Sequence, residues 1–181
     1  PQPAAFSQTM IEIVPFTPEY AAGVVELILP IQQKEFGLAI TLAAQPDLQD
    51  IGGFYQQGAG NLWIALDGPQ VVGSVALLDI GRQQAALRKM FVARPYRGAR
   101  HGIASSLLAT LLAWSQAHEV RELYLGTTSR FLAAHRFYAK HGFRDIARSE
   151  LPASFPLMQV DSKFYRLAVD ATDGTTSKYH P

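Results

Sequence analysis

The sequence predicts a single mixed α/β domain, and three observations lead to this fold class. Apolar runs of strand length alternate with amphipathic runs of helical spacing along most of the 181 residues. The triplet Asp67-Gly68-Pro69 is a strong hairpin signal between two of the apolar runs. No internal repeat or interdomain linker interrupts the pattern. We therefore predict an α/β fold with a mixed, mostly antiparallel central sheet flanked by helices.

The first elements follow from alternation and from helix start and stop signals. Residues 10–16 (MIEIVPF) alternate as a strand. Thr17 and Pro18 are placed as the N-cap and first residue of a helix. Pro30 should break or kink that helix. Residues 45–60 then indicate a short helix that two glycines interrupt.

The remaining elements are predicted in the same way. The hairpin strands lie within residues 61–80, and a third strand begins at residue 84 and ends before Pro95. A long apolar helix starts after the glycine-containing turn that follows. The last predicted elements, in order, are a strand at 121–128, a helix at 129–141 closed by Gly142, and two strands within 143–149 and 163–169.

Composition excludes several classes of function. The formal net charge is +1 and no basic run is present, so neither nucleic acid nor an anionic membrane is a predicted partner. The absence of cysteine excludes a thiol nucleophile, and the five histidines lack the spacing of metal ligands. We expect a cytoplasmic domain over residues 10–169, with a flexible leader at 1–9 and a flexible tail at 170–181.

The stretch YRGARHGIASSLLATLLAW, residues 96–114, is the first candidate site. A helix start exposes unpaired backbone N–H groups, and glycines let the backbone approach a ligand closely. Arg97 and Arg100 can add charge-assisted hydrogen bonds to a phosphate. The alternative is an ordinary solvated helix start. The spacing matches neither the P-loop nor the G-x-G-x-x-G pattern, so the residues alone leave both interpretations open.

Two motifs resemble those of the GNAT superfamily of N-acetyltransferases. MFVARPYRGARHGIASSLL (90–108) resembles the family's central motif, in which V-x-P-x-Y-R-G leads into a glycine-rich turn. AAHRFYAKHGF (133–143) resembles the next motif, A-x-x-x-Y-x-x-x-G-F. The motifs have the family's order and spacing, and the resemblance extends from about residue 10 to residue 168. Three departures stand out: the turn is two residues longer, the proline lies at 95 instead of 94, and Phe131 occupies a common asparagine position.

The resemblance implies acetyl-coenzyme A as the cofactor. Its pyrophosphate would bind to a turn made of Arg97, Gly98, Ala99, Arg100, His101, Gly102, Ile103 and Ala104. Its pantetheine would lie along the backbone of Met90, Phe91 and Val92. Tyr138 occupies the position of the tyrosine that protonates the departing thiolate in this family. A phenol is protonated at neutral pH and suits that role, although a helix-borne tyrosine is also a common core residue.

A proton acceptor for the attacking amine is harder to predict. No carboxylate lies on the strand before the turn, where many family members place a glutamate. Glu35 is the preferred candidate, with a solvated loop residue as the alternative, and Asp79 is a weaker one. Strand alternation should place Arg88 and Lys89 on opposite faces of the sheet. One of the two cations could then face a cleft and bind a substrate carboxylate or phosphate. The alternative is a charge that faces solvent. Within residues 151–165 the side chains that could line an acceptor pocket are Phe155, Met158 and Phe164.

Taken together, the resemblance implies direct transfer of acetyl from acetyl-coenzyme A to a primary amine without a covalent enzyme intermediate. The acceptor would be a small-molecule or amino-acid-like amine. The alternative function is a coenzyme-A-binding sensor or regulatory module that has lost turnover. A homodimer is compatible with the resemblance, and no sequence feature locates an interface.

Overall fold

Seven strands form one sheet in the computed structural model, which describes residues 10–170. The strands are β1 (Ile11–Pro15), β2 (Asn61–Asp67), β3 (Gln70–Gly81), β4 (Gln84–Val92), β5 (Glu122–Thr127), β6 (Arg144–Ile146) and β7 (Lys163–Ala168). Their order in the sheet is β1-β2-β3-β4-β5-β7-β6. Strands β4 and β5 are parallel, and the other described neighbours are antiparallel. The mixed, mostly antiparallel sheet is therefore confirmed.

Five α-helices accompany the sheet: α1 (Ala21–Pro30), α2 (Pro46–Gln49), α3 (Ile51–Tyr55), α4 (Ile103–Ala117) and α5 (Leu132–Lys140). Pro30 ends α1 as predicted, and one wide π-type turn over Ile31–Glu35 follows it. In that turn the Phe36 amide donates to the Ile31 carbonyl at 3.0 Å. No helix within residues 10–170 is long and apolar enough to cross a membrane.

The helices cover both faces of the sheet, which explains why β2 and β3 are almost continuously apolar. Alternate residues of β2 belong to different cores. Trp63 and Ala65 pack in the core that contains α4, whereas Leu62, Ile64 and Leu66 pack in the core that contains α1, α2 and α3. The sheet is thus the middle layer of three, and any ligand that reaches its strands must enter where the strands separate.

Local structure differs from the predictions at two helix starts. The break in the predicted 45–60 helix is at Asp50 and not at the glycines, because its carboxylate accepts the Gly53 amide at 3.1 Å and starts α3. Thr17 precedes a short 3-10 turn, and its hydroxyl donates to Glu19 instead of capping the backbone. The predicted leader at 1–9 and residues 171–181 of the predicted tail lie outside the described residues.

Candidate functional site

Strands β4 and β5 separate along their length. They pair at three positions, from Gln84 opposite Glu122 to Ala86 opposite Tyr124. Beyond Ala86, β4 continues to pair with β3, and β5 continues to pair with β7. One edge of β4 and one edge of β5 therefore face each other across a gap. Such edges carry backbone N–H and C=O groups that can pair with an extended ligand.

A β-bulge in β4 accompanies this separation. Ser74 of β3 lies opposite Phe91, whereas Ala76, two residues on, lies opposite Arg88, so β4 contains one extra residue. Lys89 takes the positive φ of 52° at the bulge. The Ser74 hydroxyl donates to the Lys89 carbonyl at 2.7 Å and so holds the bulge in place.

The bulge overturns the prediction that Arg88 and Lys89 lie on opposite faces. The Arg88 guanidinium carbon lies 5.7 Å from the centre of the Phe54 ring, on the α3 side of the sheet. The Lys89 ammonium lies on that same side, 3.5 Å from an Asp47 carboxylate oxygen in α2. The Lys89 side chain is only 6% exposed, so the solvent-facing alternative is wrong for this residue.

A cavity of about 620 Å³ fills the gap between the strands and extends to the loop before β7. The predicted site residues Met90, Phe91, Val92, Arg97 and Tyr138 line it. Phe155 and Met158 also line it, whereas Phe164 packs in a small core cluster with Tyr124 and Ile146. Sequence-predicted residues from β4, the turn and α5 therefore meet at one cavity.

The turn before α4 is built on two left-handed glycines. Gly98 and Gly102 have φ of 102° and 63°, a region that other residues rarely adopt. The turn is fixed at its start because the Arg97 Nε donates to the Val92 carbonyl at 2.8 Å. Within the described chain, the backbone amides at the start of α4 have no acceptor: Ile103, Ala104 and Ser105. These free donors and the helix dipole favour an anion.

Tyr138 lies in α5 with its side chain almost fully buried, at 7% exposure. Its ring packs edge-on against Phe143, and Tyr165 is also adjacent. Burial raises the pKa of the Tyr138 phenol above its ordinary value. The hydroxyl has no hydrogen-bond partner among residues 10–170, although the side chain lines the cavity. The Tyr138 hydroxyl is therefore a protonated hydrogen-bond donor that is available to a ligand in the cavity.

Glu35 lies outside the main cavity and lines a separate one of about 330 Å³. Both of its carboxylate oxygens accept from Arg97, at 2.7 and 2.9 Å, and Arg94 donates at 3.3 Å. The hydrogen bonds from Arg97 are the main reason why the pKa of Glu35 lies below its ordinary value. A carboxylate held in this way is a poor proton acceptor, and its position away from the cavity argues against that role.

Asp161, which the sequence reasoning missed, is the sole carboxylate among the described residues that line the main cavity. The wall also carries four cationic side chains: Arg88, Lys89, Arg97 and Arg130. Burial is the largest cause that raises the pKa of Asp161 above its ordinary value. The one sequence signal for Asp161 is its position at the end of the unusual loop 151–162. No group of residues in the described range could hold a metal ion.

Comparisons with known proteins agree with this fold. An acetyltransferase of the GNAT family from Staphylococcus aureus Mu50 superposes with a TM-score of 0.85 at 34% identity, covering 89% of this chain and 100% of that one. The N-acetylglutamate synthase from Neisseria gonorrhoeae, complexed with coenzyme A and N-acetyl-glutamate, has the same fold, with a TM-score of 0.70 at 16% identity over 89% of this chain and 35% of that one.

Among curated proteins, the N-acetylaspartate synthetase of Danio rerio is 33% identical over 110 residues. That alignment covers 60% of this chain and 38% of the relative, so the chain spans well under half of the relative's length. The acetyltransferase (GNAT) family model matches residues 26–143, which is more than half of the chain. The chain therefore belongs to the GNAT acetyltransferase family.

Proposed function

We propose that this GNAT family member transfers acetyl from acetyl-coenzyme A directly to the primary amine of a small acceptor. The observation that carries the proposal is the gap between β4 and β5, which opens into an aromatic-rich cavity and ends beside a turn with free backbone donors. An elongated, anionic thioester cofactor matches all three features. The volume of about 620 Å³ suits a small molecule.

In this proposal the cofactor is held at two places. The turn from Arg97 to Ala104 binds the pyrophosphate through its backbone donors and arginines. The exposed edge of β4 at Met90, Phe91 and Val92 pairs with the pantetheine amides as an added strand would. The Neisseria gonorrhoeae structure of the same fold contains coenzyme A, which supports coenzyme A as the cofactor of this chain.

When bound, the cofactor supplies a thioester whose carbonyl carbon accepts the amine and whose sulfur leaves. Tyr138 donates its phenolic proton to that sulfur and regains a proton from solvent. Burial raises the pKa of Tyr138, so the phenol is protonated at neutral pH. The Tyr138 side chain is itself buried, and low local polarity strengthens a hydrogen bond from its phenol to a charged acceptor.

The test combines binding with turnover. Calorimetry should show acetyl-coenzyme A binding much more tightly than ATP. In a panel of small amines, Tyr138→Phe should lower kcat by about 100- to 10,000-fold, the usual size of general acid catalysis, and leave the Kd for acetyl-coenzyme A unchanged. Tyr165→Phe is the matched control, because Tyr165 is buried beside Tyr138 but does not line the cavity.

Two results would count against the proposal. No binding of acetyl-coenzyme A would remove the cofactor assignment. Binding without turnover of any amine would favour the alternative of a coenzyme-A-binding sensor or regulatory module.

A further inference from the structure

Arg88 brings a positive charge to the cavity that the protein does not neutralise. Its guanidinium lies against the rings of Phe54 and Tyr55, at 5.7 and 5.8 Å from their centres. No carboxylate in the described part of the chain lies within 4.0 Å of it. The neighbouring Lys89, in contrast, is paired with Asp47. Arg88 is therefore the wall cation on this side of the sheet that has a charge to offer to a ligand.

The Asp161 side chain is held in a defined position in the same cavity wall. Its Oδ2 accepts the Met158 amide at 3.1 Å, and the other oxygen has no donor among residues 10–170. The carboxylate packs directly on Gly126 of β5, where an added Cβ would lie 2.6 Å from Oδ2. A larger residue at position 126 would displace the carboxylate. The glycine thus allows a partly buried carboxylate to lie against the strand that borders the gap.

Met158 places these two charges side by side. Its backbone amide donates to Asp161, and its sulfur lies 3.7 Å from a terminal nitrogen of Arg88. The two groups do not form an ion pair with each other, although the Arg88 charge is close enough to oppose the rise in the pKa of Asp161. A cation and an anion therefore flank one residue, and both line the cavity.

Thr128 adds an unsatisfied group at the same cavity. Its hydroxyl oxygen is buried and has no hydrogen-bond partner in the described chain. It lies just after β5, in the segment that the loop before β7 contacts, where the Ser129 amide donates to the Ser162 hydroxyl at 2.9 Å. A buried hydroxyl without a partner costs free energy, which a polar ligand atom would recover.

We propose that the acceptor is a free amino acid, whose carboxylate binds Arg88 and whose ammonium binds Asp161. This rests on the proposed acetyl transfer. Asp161 takes one proton from the ammonium: an N–H bond breaks, an O–H bond forms, and the nitrogen gains the lone pair that attacks the acetyl carbon. The nitrogen releases its second proton to solvent once the amide bond has formed, and Asp161 then gives its proton to solvent. Tyr138 protonates the departing sulfur, and one proton is released to solvent overall.

The charge balance of the wall favours this substrate over other amines. A diamine or polyamine would bring further positive charge to a wall with four cations and one carboxylate. A carboxylate matches the planar guanidinium with two parallel hydrogen bonds. In an amino acid the two charged groups are joined through a single carbon, so one small molecule carries a partner for Arg88 and a partner for Asp161.

The experiment uses the whole chain and the twenty common amino acids. Each amino acid that is acetylated is compared with its decarboxylated amine, for example leucine with 3-methylbutylamine. We expect the amino acid to be preferred. Arg88→Met should raise KM for the amino acid by about 10- to 100-fold, the size of a charge-assisted hydrogen bond, and leave KM for the amine unchanged. Arg144→Met is the control, since Arg144 is exposed on β6 and away from the cavity.

Asp161→Asn tests the second half of the proposal. It should lower kcat by about 100- to 10,000-fold while acetyl-coenzyme A binds with unchanged Kd. Asp170→Asn, at an exposed position, is the matched control. A calorimetric titration of the same amino acids into the coenzyme-A-saturated chain gives a readout that needs no turnover, and Arg88→Met should weaken that binding.

The outcomes separate the two proposals. Equal turnover of amino acids and decarboxylated amines, or an unchanged KM in Arg88→Met, would overturn the amino acid assignment and leave acetyl transfer standing. Full activity of Asp161→Asn would overturn the role of Asp161. Failure to bind acetyl-coenzyme A at all would count against acetyl transfer itself, and amino acid binding that depends on Arg88 would still support the acceptor site.

Discussion

Two cations of the cavity wall, Arg97 and Lys89, are each paired with a carboxylate, and the two pairs differ in burial. Beside the glycine turn, Glu35 and Arg97 are 2.7 Å apart, with side chains 22% and 38% exposed. Below the bulge, Lys89 and Asp47 are 3.5 Å apart, and both side chains are 6% exposed. The exposed pair is the shorter one. Its energy is nevertheless expected to be the smaller, because water and salt screen it.

The buried pair belongs to a connected polar network. Asp47 also accepts the Tyr55 hydroxyl at 2.6 Å, and Lys89 donates to Gln45 at 2.5 Å. Gln45 in turn exchanges hydrogen bonds with the buried Gln32. Burial lowers the pKa of Lys89, and Asp47 opposes that shift. The N···O distance alone therefore does not rank the two pairs by energy. In the buried network, the loss of one partner leaves a charge that no other group neutralises.

The largest expected effect is in the buried pair. Asp47→Asn should lower the free energy of unfolding by about 3–5 kcal/mol, because the Lys89 ammonium stays buried without its counter-charge. Urea unfolding measures this. The double variant Asp47→Asn/Lys89→Met should recover most of the loss, since it removes both charges. A double variant as unstable as the single one would show that the network acts through packing and not through charge.

A smaller loss of stability is expected from a substitution in the glycine turn before α4. This loss comes from backbone strain and not from the Glu35–Arg97 ion pair. Gly102→Ala should cost about 1–2 kcal/mol, because Gly102 has a φ of 63° and an alanine there is strained even though no atom lies within 4 Å of an added Cβ. Gly52→Ala is the matched control. Gly52 lies in α3 without a positive φ, and an added Cβ would lie 3.3 Å from Gln56 Oε1 at the end of a flexible side chain, so alanine there should change the free energy of unfolding by less than about 1 kcal/mol. Equal thermal shifts for both variants would contradict this account.

The smallest effect is expected for the exposed pair. Glu35→Gln should change the free energy of unfolding by about 0–1 kcal/mol at pH 7. The Arg97 hydrogen bonds lower the pKa of Glu35 below its ordinary value of 4.5. Any stabilisation is therefore present above pH 4.5 and disappears as the pH falls through the lowered pKa. Urea unfolding of both forms at pH 7 and pH 3 tests the sign, and a difference that grows at pH 3 would contradict it.

Periodicity and turn residues sufficed to predict most elements. The hairpin at Asp67-Gly68-Pro69 and the left-handed Gly142 both occur where the local rules placed them. The bulge could not be predicted, because an alternating apolar pattern carries no signal for one extra residue. Contacts between distant segments were equally inaccessible: the arginines that bind Glu35 are 59 and 62 residues away in the chain. Asp161 lies in a loop without any period.

The bulge also changes which residues of β4 face each side of the sheet. Before it, the odd-numbered residues Ala85 and Leu87 face the α4 core, and after it the even-numbered Met90 and Val92 do so. Two adjacent cations reach one side of the sheet only because the alternation of β4 shifts between Arg88 and Lys89. Deleting Lys89 would restore a regular alternation and leave Met90, Phe91 and Val92 on the faces that they occupy now. The extra residue therefore adds a second cation, with its ion pair to Asp47, to one face of the sheet without turning the rest of the strand.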